Sequence, residues 1–289
     1  MGYSKFRLLV FLLLILLGFS EDQFINELSL HPPFNNPHWY NVGSSHMTDR
    51  VVRLTNNVKS QKGIIFNKLP VKFPYWELNF AFRVHGKKTS LYGDGIALWY
   101  ADEFDKGSAF GMKANFKGIG IFLDTYPNGE GGGRHKFPYI TAMINDGSKH
   151  YDHETDGKVH QLDGCTFLFR NLDRESILTV RYFRDHLTVS YKLDSDSQEA
   201  ICFELDDIHL PTNYKFGISA ETGDLSDYHD VSHLHVTELK DHLNPQFDRS
   251  NIKPKYGKEN SDQSEFKIQT KLSESHFEIR AIDRAQSII

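Results

Sequence analysis

The chain has 289 residues, with 33 Lys and Arg against 38 Asp and Glu, and its formal net charge is −5. The basic residues are scattered along it, so no positively charged face for a nucleic-acid backbone is expected. Hydrophobic residues make up 39% of the sequence and include 22 Phe, which is ample for one sizeable core. The length fits one large domain or two ordinary ones.

The first twenty residues indicate the compartment. Lys5 and Arg7 precede an apolar run over residues 8–17, and Gly18, Phe19 and Ser20 follow it. A basic start, a short apolar run and small residues before a cut are typical of a secretory signal peptide. The run is short for a membrane span, so we predict cleavage after Ser20, with an uncleaved signal anchor as the alternative.

Residues 25–239 have the pattern of β-strands. Apolar and polar residues alternate over 76–84 and 187–193, and the run 177–183 meets the second of these across a hairpin turn at Arg184-Asp185-His186. The continuous apolar runs 96–100 and 119–123 indicate strands covered on both faces, and shorter strands are predicted at 214–220 and 233–239. Many short strands with Gly-, Pro- and Asp-rich turns predict an all-β sandwich or barrel. The length of this region favours one large sandwich.

Cys165 and Cys202 are the only cysteines. Two cysteines cannot build a structural zinc site alone, and in a secretory lumen an even pair favours a disulfide. Such a bridge would stabilise the fold by about 3 to 4 kcal/mol.

The composition changes after Leu239. Residues 241–289 are rich in Lys, Asp, Asn, Gln and Ser and include Pro245 and Pro254. This composition predicts a mobile polar tail or a truncated stalk. We therefore expect a signal peptide over 1–20, one domain over 21–240 and a tail over 241–289, with no membrane-spanning stretch after residue 20.

One segment has the composition of a calcium site. Asp124, Tyr126 and Asn128 alternate directly after the apolar run 119–123. Calcium takes six to eight oxygen ligands from carboxylates, amides and carbonyls. Pro127 turns the backbone, so the Tyr126 carbonyl and the Asn128 amide oxygen can face one point. The acidic cluster over 151–156 could supply a further ligand, although a plain turn with side-chain hydrogen bonds is the alternative.

Two further segments suit a sugar. Gly93-Asp94-Gly95 permits backbone angles that present a carboxylate at a pocket floor, and Gly223-Asp224-Leu225-Ser226-Asp227 offers backbone N–H groups in a tight turn. Either segment taken alone is more simply an ordinary surface turn. Together with the calcium segment they predict a calcium-dependent carbohydrate-binding site. The glycine-rich stretch 128–134 lacks the spacing of a phosphate-binding loop, which argues against nucleotide binding.

These segments, with Trp76-Glu77-Leu78, Ile96-Ala97-Leu98-Trp99-Tyr100 and Tyr151-Asp152-His153, resemble the animal L-type lectins of the early secretory pathway. Over residues 25–240 the chain is most similar to the vesicular integral-membrane lectins. The resemblance implies a legume-lectin-like jelly-roll sandwich. The implied ligand is a high-mannose N-glycan with terminal α-linked mannose, carried on glycoprotein cargo during sorting or quality control.

The resemblance also implies a role for individual residues. Calcium would be bound by Asp124, Tyr126 through its carbonyl, Asn128 and Asp156. Mannose would be bound by Ser60, Asp94, Asn128, His153, Gly223, Asp224 and Leu225. Cys165 and Cys202 match the family's disulfide, and the Gly93–Asp94 peptide is expected to be cis.

The end of the chain departs from that family. Its members continue through a stalk into a transmembrane helix and a cytosolic tail, and this sequence ends at Ile289 with neither. We expect either a soluble form or a truncated sequence, located in the lumen of the endoplasmic reticulum, intermediate compartment or Golgi, or secreted. Because single sugars bind weakly, useful avidity would need multivalent glycans or an oligomer.

Two other classes of function compete with a lectin. A jelly-roll glycoside hydrolase needs two carboxylates about 5 to 5.5 Å apart for retention, yet no Glu-x-Asp-x-x-Glu segment is present, and Glu77 and Glu204 lack such partners. We therefore predict no enzymatic activity. A sugar-blind interaction protein would be favoured by loss of Asp94, Asp124 or Asn128, and all three are present.

Overall fold

The structure is a computed structural model that describes residues 21–87, 92–128, 136–243 and 248–258. The predicted signal peptide, most of the glycine-rich stretch 128–134 and the chain after residue 258 lie outside the described residues. Within these ranges no helix is both long and apolar enough to cross a bilayer.

Two antiparallel sheets form the body of the protein. The eight-stranded sheet consists of β1 (Gln23–Phe24), β3 (His46–Met47), β4 (Val52–Thr55), β6 (Trp76–His85), β12 (Ser176–Phe183), β13 (His186–Leu193), β14 (Ala200–Asp206) and β17 (Tyr228–Glu238). The seven-stranded sheet consists of β2 (Trp39–Gly43), β5 (Lys62–Asn67), β7 (Gly95–Ala101), β9 (Lys117–Asp124), β10 (Tyr139–Asp146), β11 (Gly164–Thr166) and β16 (Lys215–Glu221). The remaining elements are β8 (Lys106–Ala109), a single 3₁₀ turn η1 (His153–Thr155), and the two-stranded pair of β15 (Ile208–His209) with β18 (Lys255–Tyr256).

The main core lies between the two sheets. Alternate residues of β6 point inward, so Trp76, Leu78, Phe80 and Phe82 are at most 1% exposed, and they meet inward side chains of the seven-stranded sheet such as Tyr100. The predicted β-sandwich is therefore confirmed. The alternating pattern of β6 is the form expected of a sheet with one solvent-facing side.

The seven-stranded sheet is covered on its outer face as well. Trp99 and Phe122 point away from the main core and pack with Phe110, Phe116 and Tyr151 in a second buried cluster. This explains why β7 and β9 have continuous apolar sequences and why every residue of β7 is buried.

The predicted hairpin between β12 and β13 is present, but its turn is shorter than predicted. His186 already pairs with Phe183, which leaves Arg184 and Asp185 as a two-residue turn with φ of 50° and 62°. Two successive residues at positive φ match the twist of an antiparallel ribbon.

The predicted disulfide is confirmed between Cys165 on β11 and Cys202 on β14. β11 is the end strand of the seven-stranded sheet and β14 is the end strand of the eight-stranded sheet. The bond therefore staples the two sheets together at one side of the sandwich.

The chain does not leave the sandwich at residue 240. Residues 248–258 pack against it, which corrects the prediction of a mobile tail for that part. β18 pairs with β15, and Arg249 is only 1% exposed and donates to the Leu210 carbonyl at 2.8 Å and to Asp185. A charged residue is seldom buried in this way unless it is fully paired. The polar composition hid this contact because the segment is held by one arginine and backbone pairing.

Candidate functional site

The three segments singled out in the sequence meet at one end of the central strands of the seven-stranded sheet. Gly95 at the start of β7 pairs with Asp124 at the end of β9 and, on its other side, with Glu221 at the end of β16. The residues next to these ends are Asp94, Thr125 and Thr222. Antiparallel pairing thus brings together positions that are separated by more than a hundred residues in the chain.

Asp94 is fixed through its backbone. Its N–H donates to the Glu221 carbonyl at 3.1 Å, and its carbonyl accepts from the N–H and the Oγ1 of Thr125, both at 2.9 Å. The Gly93–Asp94 peptide is cis, as predicted. Thr125 is a supporting residue that the sequence did not reveal.

The loop after β16 lies against Asp94. A Cβ placed on Gly223 would lie 3.0 Å from Asp94 Oδ2, so a larger residue at this position would push the Asp94 carboxylate aside by a few tenths of an ångström. The Ser60 N–H donates to the Gly223 carbonyl at 3.1 Å, and a Cβ on Gly93 would lie 3.6 Å from Leu225 Cβ. The structure therefore brings Ser60, Asp94, Gly223 and Leu225 together. Asp224, between them in sequence, is exposed and faces Lys59 Nζ at 3.6 Å.

The predicted calcium ligands form an adjoining group. Asp124 is 2% exposed, and its Oδ1 accepts from the Tyr126 N–H at 2.9 Å. Asp156 follows η1 with φ of 56°, and its Oδ1 accepts from the Asn128 N–H at 3.0 Å and from Asn128 Nδ2 at 2.9 Å. Asp156 and Asn128 are thereby tied to each other beside the end of β9.

The electrostatics of this group disfavour negative charge. Burial, with the nearby charges of Asp156 and Asp94, raises the pKa of Asp124 well above its usual value. Burial also raises the pKa of Asp156, against the hydrogen bonds from Asn128. Burial raises the pKa of Asp94 to about 6, with His153 acting in the opposite direction. A cation close to these three carboxyl groups would stabilise their charged forms.

Several buried polar atoms in the same place lack partners. Within the described residues, Asp124 Oδ2, Tyr151 Oη and His153 Nδ1 are buried without a hydrogen bond. Such atoms are rare in folded proteins and call for an explanation. The carboxylates of Asp124 and Asp156 are both close enough to Tyr151 to raise its pKa, so these orphan groups belong to one neighbourhood.

This arrangement fits a hard, oxygen-liganded cation. Across the described ranges, no group of three or more His, Cys, Asp and Glu side chains forms a metal cluster. A calcium site takes carbonyl, amide and water oxygens beside its carboxylates. The buried Asp124 oxygen without a hydrogen-bond partner is the observation that most favours a cation at this place.

The comparisons with known proteins identify the family. Residues 21–245 match the legume-like lectin family. The chain belongs to the legume-like lectin family. It is 44% identical over 228 residues to the human vesicular integral-membrane protein VIP36, covering 76% of this chain and 64% of that protein. It is 32% identical over 251 residues to an L-type lectin-like domain-containing protein of Schizosaccharomyces pombe, covering 83% and 80% respectively. The chain thus spans somewhat under two thirds of the length of VIP36.

Solved structures agree with this assignment. The VIP36 exoplasmic/lumenal domain in its Ca2+/Man2-bound form superposes with a TM-score of 0.78 at 42% identity, covering 81% of this chain and 98% of that one. Its metal-free form has a TM-score of 0.77. The carbohydrate recognition domain of Emp47p, at 19% identity and a TM-score of 0.63, shows the shared fold alone. The predicted lectin-type jelly-roll sandwich is confirmed.

Some supporting groups could not be found from sequence. The Glu221 carboxylate forms a salt bridge with Lys62 Nζ at 2.7 Å and accepts a hydrogen bond from the Gly111 N–H at 2.9 Å. These contacts connect the loop that carries Phe110 to the end of β16. The Phe110 ring then lies edge-on to the His153 ring at a centroid distance of 5.8 Å. Isolated Lys and Glu residues give no sequence signal for such a link, because each partner lies on a different strand or loop.

Proposed function

We propose that this protein is a calcium-dependent lectin that binds high-mannose N-glycans through terminal α-linked mannose. The observation that carries the proposal is the buried, unsatisfied Asp124 carboxylate beside Asp156 and Asn128. Asp124 lies at the same end of the central strands as Asp94 and Gly223. The similarity to VIP36, whose lumenal domain has structures in Ca2+/Man2- and Ca2+/Man3GlcNAc-bound forms, supports both the cation and the sugar.

In this proposal calcium is held by Asp124, the Tyr126 carbonyl, Asn128 and Asp156. The bound cation supplies positive charge that stabilises the buried carboxylates and fixes the neighbouring side chains. Asn128, which is already tied to Asp156 by two hydrogen bonds, is thereby held in one orientation. The role of calcium is to pre-organise the site, which reduces the ordering cost of binding a ligand.

In this proposal mannose is bound by residues from separate loops, namely Ser60, Asp94, Asn128, His153, Gly223, Asp224 and Leu225. The Asp94 carboxylate accepts from sugar hydroxyls, and the absence of a side chain at Gly223 leaves room beside it. Hydroxyl groups exchange water for protein with little net gain, so a single mannose binds weakly. Firm retention then needs several glycan arms or several lectin sites.

The proposed partners are glycoproteins that carry these glycans in the lumen of the secretory pathway, where the protein takes part in sorting or quality control. The disulfide is consistent with that compartment.

A glycan array tests the proposal, with the chain from residue 21 onward probed first in calcium and then in excess chelator. We expect binding to high-mannose structures that the chelator abolishes and that added calcium restores. Asp94→Asn, which keeps the size of the side chain, should lose sugar binding without losing the fold. Absence of binding in calcium by a folded protein would contradict the proposal.

A further inference from the structure

A buried ion pair lies at the end of the loop that carries Gly223 and Leu225. Arg170 and Asp227 have side chains that are 8% and 0% exposed. Arg170 Nε donates to Asp227 Oδ2 at 2.7 Å, and its Nη2 donates to Oδ1 at 2.8 Å. This two-bond geometry fixes direction as well as distance.

The same guanidinium also holds a second segment. Its Nη2 donates to the Lys87 carbonyl at 2.9 Å, and its Cζ lies 3.8 Å from the centroid of the Tyr92 ring. Tyr92 immediately precedes Gly93 and Asp94, whereas Asp227 ends the loop that contains Gly223 and Leu225. One side chain therefore contacts both segments that supply the sugar-facing groups.

Arg170 is itself anchored to the frame of the sandwich. Its backbone bridges to Val84 on β6, and the Asn171 N–H donates to the Val84 carbonyl at 2.9 Å. The Asn171 side chain accepts from the Gly86 N–H at 2.9 Å. The position of Arg170 is therefore held by contacts with the end of β6, a central strand of its sheet.

The two segments lie close together. A Cβ on Gly223 would be 3.0 Å from Asp94 Oδ2, and a Cβ on Gly93 would be in van der Waals contact with Leu225 Cβ at 3.6 Å. A shift of either segment therefore changes the spacing of the pocket. Binding groups must be held within about 0.5 Å of their productive positions to function.

We propose that Arg170 is a positioning residue for mannose binding, which joins the Tyr92–Asp94 segment to the Gly223–Asp227 loop and sets their separation. This inference rests on the proposed lectin function. It assigns Arg170 no contact with sugar or calcium, since its guanidinium is occupied by Asp227, Lys87 and Tyr92.

Lysine cannot replace arginine in this role. Its ammonium group retains the positive charge opposite Asp227 but has neither the planar fork for two parallel bonds nor a flat face for the Tyr92 ring. Arg170→Lys therefore separates the charge of the residue from its geometry.

The test compares Arg170→Lys with Arg184→Lys. Arg184 also forms a two-bond pair with a buried partner, Asp241, at the opposite end of the sandwich from Asp227. Its side chain is 43% exposed, whereas that of Arg170 is 8% exposed. The affinity for α-linked mannobiose in saturating calcium, the affinity for calcium alone and the melting temperature are measured for wild type and both variants. We expect Arg170→Lys to lose about tenfold in mannobiose affinity, with calcium affinity within about twofold of wild type, whereas Arg184→Lys should keep the mannobiose affinity of wild type. Both variants should melt well above the temperature of the binding assay.

Equal mannobiose affinity in wild type and Arg170→Lys would overturn the inference, and so would a parallel loss of calcium and sugar binding, which indicates a purely structural role. Failure of the wild type to bind mannobiose would instead refute the proposed function. A second pair of variants does not disturb the buried charges: Tyr92→Leu should weaken mannobiose binding and Tyr92→Phe, which keeps the stacked ring, should not. Unchanged binding by Tyr92→Leu would also overturn the inference.

Discussion

Asp124→Asn gives the sharpest test of the calcium site, because it has opposite effects with and without the cation. The side chain is 2% exposed, Oδ1 receives one N–H, and Oδ2 receives nothing within the described structure. Asparagine keeps the acceptor for the Tyr126 N–H and removes a buried charge. Without calcium the variant should therefore be more stable than wild type, by about 1 to 3 kcal/mol.

The pH dependence has a definite sign. The pKa of Asp124 is raised in the folded, calcium-free protein, so that state holds a proton that the unfolded chain has released. The Asp124 carboxyl consequently costs stability as pH rises above about 3.9, the pKa of an unfolded aspartate. The advantage of Asp124→Asn over wild type in chelator should be larger at pH 7 than at pH 5.

Calcium should reverse the order of stability. A ligand present at a thousand times its Kd stabilises the folded state by about 4.1 kcal/mol, which exceeds the advantage of the variant. For a domain of this size each kcal/mol shifts Tm by about 2 to 4 °C, so wild type should gain about 8 to 16 °C. Asp124→Asn should gain little.

The assay is thermal unfolding of wild type and variant in chelator and in calcium. Asp146→Asn is the matched control, because Asp146 lies on the neighbouring strand β10 at its opposite end, opposite Lys117, and is exposed. A calcium-induced shift retained by Asp124→Asn, or a lower Tm of that variant in chelator, would refute the assignment of Asp124 as a buried calcium ligand.

Three further predictions concern affinity, pH and stability. Gly223→Ala places a methyl group 3.0 Å from Asp94 Oδ2. It should weaken mannobiose binding by about tenfold, the effect of one added carbon in a binding pocket, with calcium affinity unchanged. Calorimetry with each ligand measures this, and an equal loss of calcium affinity would contradict it. Burial lowers the pKa of His229 to about 3, so the folded state binds fewer protons than the unfolded chain between pH 3 and 6.5, and stability rises with pH across that window. His229→Leu should reduce that slope by up to about 1.4 kcal/mol per pH unit, as measured by urea unfolding at pH 4.5, 5.5 and 6.5, whereas an unchanged slope would show that His229 does not titrate in this way. Replacing both Cys165 and Cys202 by Ser removes a disulfide between residues that are 37 positions apart. The free energy of unfolding should fall by about 4 kcal/mol. A loss below about 1 kcal/mol would show that the chain-entropy account of this disulfide is wrong.

Local patterns predicted most of the fold. The alternation over β6 and β13 and the continuous apolar runs of β7 and β9 reflect one or two buried faces, which is a property of each strand by itself. The segment 248–258 was mispredicted because its burial depends on Arg249 reaching Asp185 and Leu210. The hairpin turn was one residue too long because turn length is set by the register of both strands.

The candidate site divides in the same way. Asp94, Asp124 and Gly223 stand in short segments whose turn chemistry is visible in the sequence, and the resemblance to a family supplied their proposed roles. Thr125, Glu221 and Arg170 gave no such signal, because each acts through a partner on a different segment.

Local periodicity, composition and short motifs were sufficient to predict the strands, the large sandwich, the cysteine pair and the family. Three features became visible only in the folded chain: the Asp124 carboxylate is buried with an oxygen that has no hydrogen bond, Gly223 lies against Asp94, and Arg170 contacts both Asp227 and Tyr92. Burial, close approach and ion pairing depend on which strands lie side by side. That arrangement follows from pairing between residues that are far apart in the chain.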